Sequence, residues 1–170
     1  MTADWRSVIE SRRLRLVPLT RADAGDLFAV LDDPGLHRYT GGEPLDQAAL
    51  TERYARLERG APGDDSEVWA NWVVRLREQG TAIGVVQATI VTDAADVAWV
   101  IGQAWQGAGY GSEAAQAMTA WLRSAGVGIL RAHIHPEHEA SARVAERAGL
   151  RSTDATDSDG EVIWESPYRS

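Results

Sequence analysis

The run Gln106-Gly107-Ala108-Gly109-Tyr110-Gly111 is the part of the chain whose residue types and spacing carry chemistry. It follows a β-branched segment and precedes an alanine-rich one, so it reads as a strand-to-helix turn. Glycine lets the backbone turn tightly and come close to a ligand. The helix that follows offers unpaired N–H groups and the positive end of its dipole, which suits a phosphate or pyrophosphate. Such a cradle needs no cationic side chain. A dinucleotide fingerprint requires Gly-x-Gly-x-x-Gly, and Gly107-x-Gly109-x-Gly111 has the wrong spacing. A Walker loop ends in Gly-Lys-Ser/Thr, and the chain contains no lysine. A third pattern, Gln/Arg-x-x-Gly-x-Gly/Ala at the start of a helix, is met by Gln106-x-x-Gly109-x-Gly111. On these residues alone, a glycine-rich turn that binds nothing remains open.

A second constellation is His133-x-His135-x-x-His138, with Glu137 and Glu139 interleaved. Histidines two apart on a strand share a face, which permits a metal reading. A cleft or surface pair ahead of Pro136 is the plainer reading, and no metal is expected. His135 has the intrinsic pKa of a general base for an amine.

The elements that must position these residues follow from periodicity. Residues 12–19 alternate as a strand, with Leu14 and Leu16 on one face. Thr20 and Asp23 open a helix through Leu27 and Leu31, which Pro34-Gly35 stops. Asp46 caps a second helix carrying Leu50, Tyr54 and Leu57. Three strands over residues 67–76, 81–92 and 96–101 are joined by short turns, which implies an antiparallel meander. Residues 112–125 form an amphipathic helix, 130–135 a strand, and 139–147 a helix closed by Gly149. A final strand or two surrounds the Asp159-Gly160 turn. The order is that of a mixed α/β (α+β) domain with a substantial sheet.

Composition sets the limits. A chain of 170 residues suits one domain, taken as residues 1–170 with 1–11 as an N-terminal extension. There is no cysteine, which removes disulfides, thiolate metal sites and a cysteine nucleophile. The net charge of −8 speaks against nucleic acid and favours cationic partners such as amines. All 17 basic residues are arginine and Asn71 is the sole asparagine, a pattern a GC-rich genome accounts for. The first residues lack the apolar core of a signal peptide, and no apolar run is long enough to span a bilayer. We therefore expect a cytoplasmic protein with no membrane partner, as a monomer or homodimer.

The run Trp105–Ala114 (WQGAGYGSEA) resembles the acyl-CoA pyrophosphate loop of the GNAT N-acetyltransferases. It is most similar to the RimJ/RimL-like, ribosomal-protein N-terminal acetyltransferase branch. Arg13-Leu14-x-Leu16, Asp23-Ala24, Asp33-Pro34 and Arg38-Tyr39 fit the same branch. So does His135-Pro136-x-His138-x-x-Ser141-x-Arg143-Val144-Ala145-Glu146-x-x-Gly149-Leu150. The resemblance implies a bacterial enzyme that moves an acetyl group from acetyl-CoA to a primary amine by direct attack in a ternary complex. The acceptor would be a peptide or protein N-terminus, an amino acid or another small amine. It implies a mixed, mostly antiparallel sheet flanked by helices and splayed between its fourth and fifth strands, with pantetheine in the gap. Main-chain groups near Val100 and Ile101 would hold pantetheine and polarise the thioester. Gln106, Gly107, Ala108, Gly109, Tyr110, Gly111 and Ser112 would hold the pyrophosphate. His138 and Ser141 would touch the CoA arm, with Ser141 donating to the departing thiolate. Tyr39 and Trp99 would meet the acceptor.

Three departures from the family pattern stand out. Its usual Asn is His138, its usual basic loop residue is Ala108, and the Tyr that other branches use as acid corresponds to Ala145. These motivate an alternative: a CoA-binding regulatory or interaction module without transferase activity.

Overall fold

The computed structural model describes residues 3–38 and 44–167. Among them, eight strands form one sheet in the order β1-β2-β3-β4-β5-β6-β8-β7. The strands are β1 (Ile9–Glu10), β2 (Leu14–Pro18), β3 (Val68–Leu76), β4 (Ala82–Val91), β5 (Ala94–Ile101), β6 (Ile129–Ile134), β7 (Arg151–Thr156) and β8 (Val162–Glu165). The helices are α1 (Ala24–Leu31), α2 (Gln47–Glu58), α3 (Tyr110–Ser124) and α4 (Glu139–Arg147). No helix among the described residues is long and apolar enough to cross a membrane.

Strand alternation sorts the chain into two layers. One face of the sheet sends Trp72, Val74, Val86, Val97, Leu130 and Ala132 into a core with Ala115, Met118 and Leu122 of α3 and Ala145 of α4. The other sends Val73 to Leu27 of α1 and to Leu50 and Tyr54 of α2. Residues 3–11 belong to the first layer. Ile9 pairs with Leu16, and the rings of Trp5 and Trp72 each meet Trp121 edge-on at 5.6 Å. The Trp72 indole also donates to the Ser7 carbonyl.

The sheet tears in one place. β5 and β6 are its parallel neighbours, and they pair only at Ala94–Ile129, Ala95–Leu130 and Asp96–Arg131. β5 then continues to Ile101 and β6 to Ile134 without pairing, so the strands diverge. These are the fourth and fifth strands of the sequence reading, which did not count β1. Gly84 on β4 shapes the upper end of β5: a Cβ there would collide with the Val100 carbonyl, so only glycine allows β5 to lie this close.

Candidate active site

The glycine-rich loop sits at the end of β5, on the open side of the tear. Gly109 is left-handed (φ 84°) and is the N-cap of α3, which therefore begins two residues earlier than its apolar pattern indicates. The first bond of that turn runs from the Glu113 N–H to the Gly109 carbonyl. The N–H groups of Tyr110, Gly111 and Ser112 thus have no acceptor inside the helix and point out of its positive end. Gly107 is also left-handed. Gly111 lets α3 approach α4 and β5, with Val144 and Ile101 at van der Waals distance from where its Cβ would lie.

Two side chains brace this loop. The Gln106 amide donates to the Ile101 carbonyl at 2.9 Å, so this residue ties the loop to β5. Arg13, one residue before β2, donates to the Ala108 carbonyl at 3.0 Å and lies 4.3 Å from the centre of the Tyr110 ring. Its Nε meets the Glu113 carboxylate at 2.6 Å. Burial pulls the Glu113 carboxyl upward, but the Arg13 N–H, the Ser11 hydroxyl and the Arg13 guanidinium together hold it below the ordinary glutamate range. Ala108 has no cation of its own, yet Arg13 places one behind the loop.

α4 adds two more. Arg143 and Arg147, one turn apart, line the same cleft as the loop, and Arg147 donates to the Ser112 hydroxyl at 3.3 Å. Sequence reasoning gives Arg143 no role beyond a motif letter and Arg147 none beyond the end of a helix; their i, i+4 spacing on the helix that faces the loop is the signal that marks them. The cleft measures about 750 Å³ and also takes in Trp105, Val100 and Ile101.

A second cavity of about 360 Å³ opens from the other side of the tear. Val85 and Gln87 of β4, Ala98 of β5 and His133 and His135 of β6 and its end line it. Leu36, Trp99, Val100, His138 and Ser141 border both spaces, so the two clefts meet at these five residues. Leu36 is brought there by a 3-10 turn (Pro34–His37). Asp33 caps that turn by accepting the Gly35 N–H, and also receives the Gln103 amide. Tyr39 lies outside the described residues.

At the junction, the Trp99 indole donates to the Ser141 hydroxyl at 3.1 Å. His138 precedes α4; burial first, and the nearby His135 second, hold its imidazole below the ordinary range, which favours the neutral form. His135 Nδ1 accepts the Glu137 N–H at 3.1 Å, and His133 Nδ1 faces the Asp157 carboxylate at 2.9 Å. Among the described residues, the three histidines do not form a group whose ring nitrogens lie close enough together to hold one ion. Ala145 is fully buried in the core.

The geometry joins the cleft beside the glycine-rich loop to a second, smaller one at Leu36, Trp99, Val100, His138 and Ser141. Residues 13–151 match the model of the acetyltransferase (GNAT) domain. No curated protein matches the sequence. Solved structures do match the fold. One is a protein assigned as a ribosomal-protein-serine acetyltransferase from Vibrio cholerae (TM-score 0.76, 19% identity, 97% of this chain and 98% of that one). Another is a GNAT-family acetyltransferase from Bacillus anthracis (TM-score 0.75, 18% identity, 94% and 96%). A third is AAC(6')-Ib, solved with paromomycin and acetyl-CoA (TM-score 0.76, 19% identity, 91% and 93%). The splayed mixed sheet is the fold these proteins share. With the domain model covering residues 13–151 of 170, the chain belongs to the GNAT acetyltransferase family.

Proposed function

We propose that this chain transfers an acetyl group from acetyl-CoA to a primary amine by direct attack in a ternary complex, as a member of the RimJ/RimL-like branch. The observation that carries the reading is the meeting of two clefts at Trp99, Val100, His138 and Ser141. The larger would take CoA: pyrophosphate on the N–H groups of Gly107–Ser112, further phosphate charge on Arg143 and Arg147, pantetheine along the free edge of β5. Gln106 and Arg13 act on the loop from behind. The smaller would take the acceptor.

Attack of the amine nitrogen on the thioester carbon makes a tetrahedral oxyanion, which the Val100–Ile101 main chain would stabilise. The C–S bond then breaks, sulfur takes the Ser141 proton, and the Ser141 oxygen regains one from the proton that the attacking nitrogen sheds as the amide forms. The indole of Trp99 can only donate, so the Ser141 oxygen accepts from it and its own proton is left to point at sulfur. A neutral His138 supplies a hydrogen bond where relatives carry an amide. A net charge of −8 draws cationic acceptors, which include N-terminal peptides, amino acids and aminoglycosides of the kind AAC(6')-Ib is solved with. Acetyl-CoA as donor implies action in the cytoplasm.

The test is thiol release from acetyl-CoA with a panel of alanyl and seryl peptides, free amino acids, polyamines and aminoglycosides, alongside calorimetry with acetyl-CoA. Binding and turnover are the expected result. Binding without turnover on any amine would assign the CoA-binding module instead. Absence of both would overturn the reading.

A further inference from the structure

The smaller cleft has a side recess of about 70 Å³. Arg53, Val85 and Gln87 line both spaces, so the recess opens off the β4 end of that cleft. Its floor is a cross-strand pair of amides. Asn71 of β3 stands opposite Gln87 of β4, on the face that sends Val73 to α2. Asn71 is the sole asparagine of the chain. The roof is α2, which brings Arg53 and Tyr54 to the recess between Leu50 and Leu57.

Each of these four polar groups can donate a hydrogen bond. Tyr54 is 3% exposed, and its hydroxyl has no hydrogen-bond partner among the described residues. A buried hydroxyl is costly to leave unpaired, so this one marks a place for an oxygen that accepts. Burial raises its pKa to about 12; the charge of Arg53 pulls the other way, and Asp23 adds a lesser push upward. The hydroxyl therefore keeps its proton at neutral pH, and the Arg53 guanidinium lies within electrostatic reach of it. Among the described residues, no carboxylate pairs with Arg53. The one carboxylate that lines the smaller cleft, Glu161, stands beyond the tear, just ahead of β8. A guanidinium, a hydroxyl and two amides around a space of this size suit a small planar anion, and a carboxylate matches the guanidinium fork.

The ladder sets the reach. Val85 faces Val100, and Gln87 faces Ala98. Gln87 is thus a diagonal neighbour of Val100, where the two clefts meet, at a separation of about 7–8 Å. We infer that the recess holds a carboxylate of the acceptor, so that the protein selects amines with a carboxylate a few bonds away over polyamines and aminoglycosides; this rests on the transfer reading above. Arg53 makes the ion pair, and Tyr54, Asn71 and Gln87 donate to the carboxylate oxygens. Two sources share this chemistry: a free amino acid, and a peptide N-terminus followed by an acidic side chain.

The test uses acceptor pairs that differ in this one group. Ala-Glu amide against Ala-Gln amide represents the peptide; alanine and β-alanine, each against its own amide, represent the free acid. Thiol release from acetyl-CoA gives kcat/KM for every member, and the quantity read is the acid-to-amide ratio. The unmodified protein should favour the acid in at least one pair, and that pair names the source. Arg53→Gln should lower the ratio about tenfold or more, chiefly through KM, and Tyr54→Phe by less. Arg56→Gln removes the same charge from an exposed position of α2 outside both spaces, and should leave the ratio as it was. The assignment is overturned if no pair favours the acid, if the ratio survives Arg53→Gln, or if Arg56→Gln lowers it equally. Release with polyamines or aminoglycosides alone would overturn the recess and leave transfer standing. Release with no amine at all would overturn the transfer reading, and this one with it.

Discussion

The indole nitrogen of Trp99 on β5 donates to the Ser141 hydroxyl on α4 across 3.1 Å, bridging the sheet and the helix where the two clefts meet. Because an indole N–H cannot accept, the bond sets the direction of the serine proton as well as the place of its oxygen. Ser141→Ala should therefore lower turnover by about 100-fold while leaving acetyl-CoA affinity within about twofold. Trp99→Phe keeps most of the ring and loses the bond; it should produce a smaller loss of the same kind. Steady-state kinetics with calorimetry separates the two effects, and equal turnover in Ser141→Ala would remove the hydroxyl from the mechanism.

Gly109→Asp tests the anion cradle. The position is left-handed at φ 84°, which costs about 1–3 kcal/mol for a residue with a side chain. The new carboxylate would also stand where phosphate is expected. Calorimetry should record a loss of acetyl-CoA affinity of about 100-fold or more, and an unchanged affinity would refute the loop assignment.

Arg143 and Arg147 should contribute charge more than shape. Replacing both with glutamine should weaken acetyl-CoA binding and flatten its dependence on salt, because screening acts on the ionic part of the interaction. A titration series between low and high ionic strength reads this directly. Equal salt dependence in the variant and the unmodified protein would show that these arginines do not face phosphate.

Gly84→Ala should be costly out of proportion to one methyl group, since the Val100 carbonyl occupies that space. The β5 end must move, and both the melting temperature and acetyl-CoA affinity should fall. A variant as stable as the unmodified protein would mean that β4 and β5 tolerate the separation.

The Arg13–Glu113 pair predicts a pH signature in stability. The folded protein holds the Glu113 carboxyl below its unfolded value, so the pair stabilises fully above the ordinary carboxylate range. That contribution is lost as pH falls through the lowered folded value. Glu113→Gln should thus be less stable at neutral pH, with the gap closing in acid. Urea unfolding at a series of pH values measures it, and a gap independent of pH would contradict the assignment.

The strands and helices were legible because their periods are local: Leu14 and Leu16 alternate, and Ala115, Met118 and Leu122 repeat on one helical face. The loop was legible because glycine at 107 and 109 answers a backbone demand that no other residue meets cheaply. Arg13 reads only as one face of a strand, since nothing near it in sequence reveals Ala108 and Glu113 about 100 residues away. Residues 3–11 look like a tail until Trp5 meets Trp121. Contacts of this kind depend on topology, which periodicity does not report.

The three-residue pairing of β5 with β6 makes the sheet two plates hinged along a short seam. Amide hydrogens inside either plate should exchange slowly, as members of separate cooperative units, while those along the diverging edges exchange fast. A ligand laid into the gap would give these edges the partner that each lacks in the other strand. It would then couple the plates mechanically, so that saturating donor slows exchange on both sides of the seam at once.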